Sequence, residues 1–366
     1  MVSHEHRSDC EYQRGAYGPG VTRLRRSDCS LPGLRRRRSG RGFVYLDPSG
    51  RRVVAAEILD RIRSLAIPPA WTDVWICPLP NGHIQAMGTD ARGRRQYRYH
   101  DHWRIKRDRQ KFDHVLEFAP LLPSIRRACA KHLEQPAMPK ERVLACAVHL
   151  LDVGFFRIGG EEYADENGSY GLATLLKRHA RVVGDEVIFD YPAKSGQRRV
   201  QAIADPEIRD IVGTLKGRRG GGPELLAYRD GRRWVDVRSV DINDYLRDVS
   251  GMDVTAKDFR TWNATVLAAG ILGGDQSLPS SERARRRAIR QAMESVAAYL
   301  GNTPAVCRSS YVDPRIVDLY LTGSIRPHGL PSIGETDLAV MKPSTRAQLE
   351  AAVLDLLDSP GVEVAA

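Results

Sequence analysis

The stretch from Ala256 to Leu272 reads as a helix that is apolar on nearly every side. Phe259, Trp262, Asn263 and Val266 lie in it, and the face through Arg260 also carries Ala264, Leu267 and Ile271. Thr255 and Asp258 have the capping-box spacing that opens such a helix. A helix without a polar face has to be enclosed by other elements, which puts Arg260 in partly buried surroundings. A lone buried cation is costly unless something neutralises it; a bound phosphate would serve, as would a carboxylate. A chain of 366 residues, 42% hydrophobic and 28% charged, can enclose a helix of this kind and suits two domains plus tails.

The charge is unevenly placed. The formal net charge is +11 and the pI about 9.5, which suits a polyanionic partner. Residues 1–41 hold ten arginines and four acids (Glu5, Asp9, Glu11, Asp28), a local net of +6, so the remaining body carries only +5. Six cysteines (Cys10, Cys29, Cys77, Cys129, Cys146, Cys307) include no C-x-x-C pair, arguing against a zinc ribbon or disulfide framework and for a reducing compartment. Met-Val-Ser-His-Glu-His has no apolar core for a signal peptide, and His4-Glu5-His6 reads as polar terminus rather than as a metal site. No apolar stretch is long enough to span a membrane. A soluble intracellular protein is expected.

Residues 1–42 lack hydrophobic periodicity and read as a disordered basic arm able to touch phosphates. From Gly42 strands are expected: Phe43–Leu46, then Val74–Cys77 and His83–Met87 around the Asn81-Gly82 turn, and Arg95–His100, with a short helix over Ala55–Leu65. Residues 43–106 thus form a small β-rich domain. The basic run Trp103–Arg109 leads into helices, one of which opens at Pro139 and ends at Gly154. A hairpin of Val187–Tyr191 and Arg199–Ile203 interrupts them. Helix Glu282–Leu300 ends at Gly301, and Gly217–Gly222, broken by Arg218 and Arg219, looks like a flexible turn. The tail, 326–366, carries an amphipathic helix (Leu349, Val353, Leu356, Leu357) that packs on the body or meets a partner. The fold class is α+β: a small β-sheet N-terminal domain and a larger, mainly α domain over 107–325.

Further residues carry charge or polarity where local structure would favour something blander. Arg157 stands between Phe155-Phe156 and Gly159-Gly160, suited to clamping a phosphate or pairing with Glu161 or Glu162. Lys194 sits at the hairpin tip. Thr303-Pro304 reads as a helix start, which leaves Asn302 in the preceding turn and Tyr311 at the end of a brief helix before Asp313-Pro314.

Taken in order, Arg157, Lys194, Lys257-Asp258-Phe259-Arg260, Gly301-Asn302-Thr303-Pro304 and Tyr311 closely resemble the type IB DNA topoisomerases, above all their bacterial and poxvirus members. The resemblance runs from about Gly42 to Gly323. It includes Phe43–Asp47, Ile67-Pro68-Pro69-Ala70-Trp71, Gly93–His100 and Ser309-Ser310-Tyr311. It implies that Arg157 and Arg260 are the two catalytic arginines, Lys194 the hairpin lysine and Tyr311 the nucleophile. Asn302 stands where poxvirus and eukaryotic members carry histidine, so it can donate a hydrogen bond but cannot shuttle a proton. Lys257 matches a basic residue one turn before the second arginine and would assist proton transfer. Gln96, Tyr97 and Tyr99 match groove-facing residues, with packing on the domain core as the alternative for the tyrosines.

The family resemblance implies a clamp around double-stranded DNA, a monomeric enzyme at the nucleoid in the cytoplasm, and no membrane. It also implies attack by Tyr311 on a backbone phosphate, a 3′-phosphotyrosyl bond, strand rotation and religation. No cofactor, ATP or metal is expected: no phosphate-cradling loop and no carboxylate cluster for magnesium accompany these residues. Two rivals share parts of the pattern. A tyrosine recombinase would usually show His-x-x-Arg where this chain has Lys257-x-x-Arg260 and would lack the β-rich domain. A non-catalytic DNA-binding protein on the same scaffold would be expected to lose the residues kept here.

Overall fold

The computed structural model describes residues 23–274, 278–325, 330 and 342–359. The chain divides into two compact units, Met1–Arg109 and Gln110–Ala366. His4-Glu5-His6 and most of the arm lie outside the described residues.

In the first unit β1 (Leu34–Ser39), β2 (Gly42–Leu46), β3 (Thr72–Ile76), β4 (Ile84–Thr89) and β5 (Arg95–Tyr99) pair antiparallel in the order β2-β1-β3-β4-β5. Strand residues in register share a face of the sheet. Leu34, Ile76 and Ala86 are in register across β1, β3 and β4 and pack with Val74 against Ile62 and Leu65 at α1 (Ala56–Ser64). Arg35, Trp75, Met87 and Tyr97 are in register on the opposite face.

Strand β1 corrects the expectation of a disordered arm through residue 42. It offers no apolar alternation, only Leu34, which is why periodicity missed it. Arg36 takes the place of a second core residue. Its guanidinium lies 4.2 Å from the Phe43 ring centroid and donates to Ile67 O at 3.2 Å, Pro68 O at 3.0 Å and Trp71 O at 2.6 Å. A long cationic side chain can bury its stem while its fork satisfies carbonyls.

The division between the units falls inside α2 (Asp101–Phe118), so the basic run Trp103–Arg109 is itself helical. The second unit continues with α3 (Leu122–Leu133), α4 (Lys140–Gly154), α5 (Glu161–Asn167), β6 (Ala180–Val183), β7 (Glu186–Pro192) and β8 (Arg198–Ile203). Then come α6 (Pro206–Gly217), β9 (Ala227–Asp230), β10 (Arg233–Asp236), α7 (Ser239–Ser250), α8 (Ala256–Leu272), α9 (Glu282–Leu300), α10 (Pro304–Ser310), α11 (Pro314–Thr322) and α12 (Pro343–Asp358). The expected hairpin is β7–β8, extended by β6 into a three-stranded sheet.

Helix α8 is the centre of this unit and packs on α4, α7, α9, α11 and α12. Three of its buried polar side chains find carbonyl partners: Thr261 Oγ1 donates to Lys257 O at 3.0 Å, Thr265 Oγ1 to Thr261 O at 2.9 Å, and Asn263 Nδ2 to Asp152 O of α4 at 2.9 Å. The Gly217–Gly222 turn is better fastened than its glycines suggest. Buried Arg218 donates to Leu215 O and Leu225 O at 2.8 Å and to Glu224 O at 2.5 Å.

Helix α12 packs on the body through Leu349, Val353 and Leu357. Arg346 donates to Asp152 Oδ1 at 2.5 Å and Asn263 Oδ1 at 3.0 Å, and Arg126 of α3 bridges Asp152 and Glu350. This network joins α3, α4, α8 and α12.

Candidate active site

Helix α9 stops at Leu300 because Gly301 turns into the left-handed region, with φ of 60°. A helix end leaves its last carbonyls without intrahelical partners. Here arginines take three in succession. Arg199 Nη2 donates to Tyr299 O at 2.5 Å, Arg260 Nη2 to Leu300 O at 2.9 Å, and Arg157 Nη2 to Gly301 O at 2.8 Å. The negative end of the helix dipole favours cations at this point. Among the described residues no carboxylate forms an ion pair with any of the three.

Each arginine arrives on a different element. Arg157 follows α4, whose last turn is closed by Phe155 with φ of 52°. Its loop is held against a second glycine-containing segment, Leu172 N donating to Arg157 O at 2.8 Å and Ala173 N to Ile158 O at 2.7 Å. A Cβ on Gly171 would stand 2.5 Å from Gly159 Cα and 2.7 Å from Arg157 O, so this approach needs glycine. Of the two acids beside Arg157, Glu161 is engaged elsewhere, accepting from Ser239 N at 2.7 Å and Ser239 Oγ at 3.0 Å. Arg260, on α8, is 3% exposed; Nη1 donates to Phe155 O, while Nε is buried without a partner. Burial and the neighbouring Arg157 lower its pKa to about 10, which still leaves it charged at neutral pH.

Arg199 was not among the expected site residues. The signal was in β8, where Arg199, Gln201 and Ile203 alternate inward with exposed Arg198, Val200 and Ala202. An arginine on the buried side of a strand calls for a reason, as Arg260 does in its helix. Burial lowers its pKa as well, with Arg157 adding to the effect.

Tyr311 closes α10, which starts with Thr303 Oγ1 accepting from Val306 N at 3.3 Å and Pro304 in the first turn. The tyrosine backbone lies against α8: Thr265 Oγ1 accepts from Asp313 N at 3.1 Å and lies 3.3 Å from Tyr311 O, with which it can share the proton that it gives to Thr261 O. Lys111 Nζ donates to Ser310 O at 3.2 Å. Arg260 Cζ lies 5.3 Å from the Tyr311 ring centroid. Burial pushes the Tyr311 phenol up, but Arg260, Arg157 and Lys257 outweigh it and hold it below the ordinary tyrosine value. Asn302 Oδ1 accepts from Arg157 Nη2, which turns the amide nitrogen away as a buried donor without a hydrogen-bond partner. The structure therefore gathers Arg157, Arg260, Asn302 and Tyr311, with Lys257 exposed one turn before Arg260.

Lys194 is not joined to that group by a contact. It lies exposed in the β7–β8 turn, beside Ser195 with φ of 67°, and its side chain makes no hydrogen bond or ion pair among the described residues. In the first unit Tyr97 and Tyr99 are 42% and 39% exposed, with rings 6.1 Å apart, so they do not pack into the core. Alternation along β5 puts Gln96 on the other face, where Nε2 donates to Asp90 Oδ2 at 3.0 Å.

Two family descriptions match parts of the chain. The family described as eukaryotic DNA topoisomerase I, catalytic core, matches residues 100–318, and that described as bacterial DNA topoisomerase IB, N-terminal domain, matches residues 42–90. DNA topoisomerase 1B of Acanthamoeba polyphaga mimivirus is 31% identical over 297 residues, covering 79% of this chain and 88% of that protein. DNA topoisomerase 1B of vaccinia virus (strain Copenhagen) is 23% identical over 286 residues, covering 75% of this chain and 85% of its own. DNA topoisomerase 1 of Mycosarcoma maydis is 26% identical over 220 residues, 54% of this chain but 21% of that longer protein. With a β-sheet unit of the bacterial kind ahead of a mainly helical catalytic core, the chain belongs to the type IB DNA topoisomerases.

Proposed function

We propose that this enzyme relaxes supercoiled duplex DNA by cutting and rejoining one strand, with Tyr311 as the nucleophile. One observation carries the assignment of residues: the guanidiniums of half-buried Arg157 and buried Arg260, balanced by backbone carbonyls and, among the described residues, by no carboxylate, lie beside a tyrosine whose phenol they acidify. Such an arrangement leaves positive charge that an external anion can neutralise.

In the proposed reaction Tyr311 Oη forms a bond to a backbone phosphorus as the bond to the deoxyribose 5′-oxygen breaks. Arg157 and Arg260 neutralise the charge that grows on the nonbridging oxygens, and fixed donors of this kind need no reorganisation as the reaction proceeds. The unpartnered Asn302 Nδ2 and Arg260 Nε supply further donors. Lys194 gives a proton to the departing 5′-oxygen, and Lys257 assists removal of the phenol proton. The 3′-phosphotyrosyl bond keeps the phosphodiester energy, so the free end rotates and the 5′-hydroxyl attacks back without ATP. Tyr97 and Tyr99 face the DNA from the sheet, and most affinity comes from phosphate contacts that weaken with salt. We further propose a monomer working at the nucleoid in the cytoplasm. Among the described residues no helix is long and apolar enough to cross a membrane.

The test is plasmid relaxation in EDTA without ATP, read beside covalent trapping on denaturing gels. The parental enzyme should give a ladder of topoisomers and a protein–DNA adduct; Tyr311→Phe should give neither while still binding duplex DNA. Relaxation by the Phe variant at the parental rate would overturn the assignment.

A further inference from the structure

Among the described residues the Lys194 side chain has no hydrogen-bond or ion-pair partner, so its position is inherited from the β7–β8 hairpin. Two side chains on the inner face of β8 fasten that hairpin to the rest of the site. Arg199 Nη2 donates to Tyr299 O at 2.5 Å, in the last turn of α9, and Gln201 Nε2 donates to Gly154 O, the last residue of α4. The two are also joined to each other, Arg199 Nε donating to Gln201 Oε1 at 3.3 Å. Beyond the end of α9 lies Asn302, and beyond the end of α4 lies Arg157. One strand thus ties the loop that carries the lysine to both helix ends that carry phosphate donors.

We propose that Arg199 is a positioning residue for Lys194, setting the hairpin in register with the α9 end; the inference rests on the roles assigned above to Lys194 and Tyr311. Arg199 sits five residues after the lysine, opposite Tyr191 in the β7–β8 register. A Cβ on Gly301 would stand 2.7 Å from its Nη1, so it lies against the Gly301 turn as well. Keeping a third, half-buried cation beside Arg157 has an electrostatic cost, which fits a geometric task that a smaller or neutral side chain cannot perform. The planar fork matters: two donors on one rigid group reach Tyr299 O and Gln201 Oε1 together.

The experiment compares single-turnover cleavage of an ordinary duplex with that of a duplex bearing a 5′-bridging sulfur leaving group, which needs little protonation. Arg199→Ala should cleave the ordinary substrate about 100-fold more slowly, as expected for a displaced catalytic group. On the sulfur substrate it should recover at least about tenfold of that loss, and Arg199→Lys, which lacks the fork, should behave like the alanine variant. Equal losses on both substrates, or no loss, would overturn the proposal, since Arg199 would then act on the phosphate, on the fold, or not at all. If Arg199→Ala fails to fold by circular dichroism, Arg199→Gln provides the same comparison. Tyr311→Phe is run alongside. An adduct that survives in that variant refutes the nucleophile itself, whereas a Tyr311-dependent adduct without sulfur rescue refutes only the role of Arg199.

Discussion

Tyr311 and Asn302 owe their character to arginines. Guanidinium groups can only donate, so Arg157 captures the Asn302 amide oxygen and thereby aims the amide nitrogen elsewhere. Arg260 and Arg157 favour the Tyr311 phenolate more than burial opposes it. In a 295 nm titration, the difference between the DNA-free parental enzyme and Tyr311→Phe should therefore show a tyrosine ionising below the ordinary value of 10. A midpoint at or above that value would contradict the field described. Sequence order singled out these residues where local pattern could not, since nothing around Tyr311 separates it from other tyrosines. Arg199 escaped because its neighbours Arg198 and Val200 are exposed, and the run looked like an ordinary solvated hairpin edge until the α9 carbonyls stood beside it.

Elements that follow apolar periodicity were legible. Helices α8 and α9 and strands β2 to β5 stand close to where alternation, capping and glycine signals put them. Strand β1 was not, because it replaces apolar contacts with arginine hydrogen bonds to distant carbonyls. The Arg157 loop was legible as a glycine pair but not as a contact, since Gly171, the partner of Gly159, lies outside that pair. Gly171→Ala would force its Cβ into the Gly159 and Arg157 backbone, and the loop would have to move. We expect a stability loss of about 1–3 kcal/mol by denaturant unfolding, accompanied by slower cleavage. Unchanged stability and rate would show that the loop has slack that the geometry does not display.

At the scale of the second unit, the network of Arg126, Asp152, Asn263, Arg346 and Glu350 braces α4, which leads into the Arg157 loop, and α8, which carries Arg260. Sequence foresaw α12 as amphipathic but could not show that its polar residues reach α3, α4 and α8. Burial pushes the Asp152 carboxyl up, yet Arg346 and Arg126 hold it at about 2, below the usual 3.8. A depressed folded-state value stabilises above the unfolded value and is lost as pH falls through the folded one, so this contribution, about 2 kcal/mol, should vanish between about pH 4 and 2. Arg346→Met should cost about 3 kcal/mol at neutral pH by leaving buried acids underpaired. Its Asp152 should protonate at higher pH, moving acid unfolding upward; thermal melts across pH 7 to 3 read both effects.

That brace also has an order in time. Arg126, Asp152 and Asn263 emerge from the ribosome well before Arg346 and Glu350, so the growing chain carries Asp152 with only one of its arginines until α12 is made. The scaffold behind Arg157 and Arg260 is thus completed only once α12 has been made, and a nascent chain that stalls before α12 presents those residues without their final support.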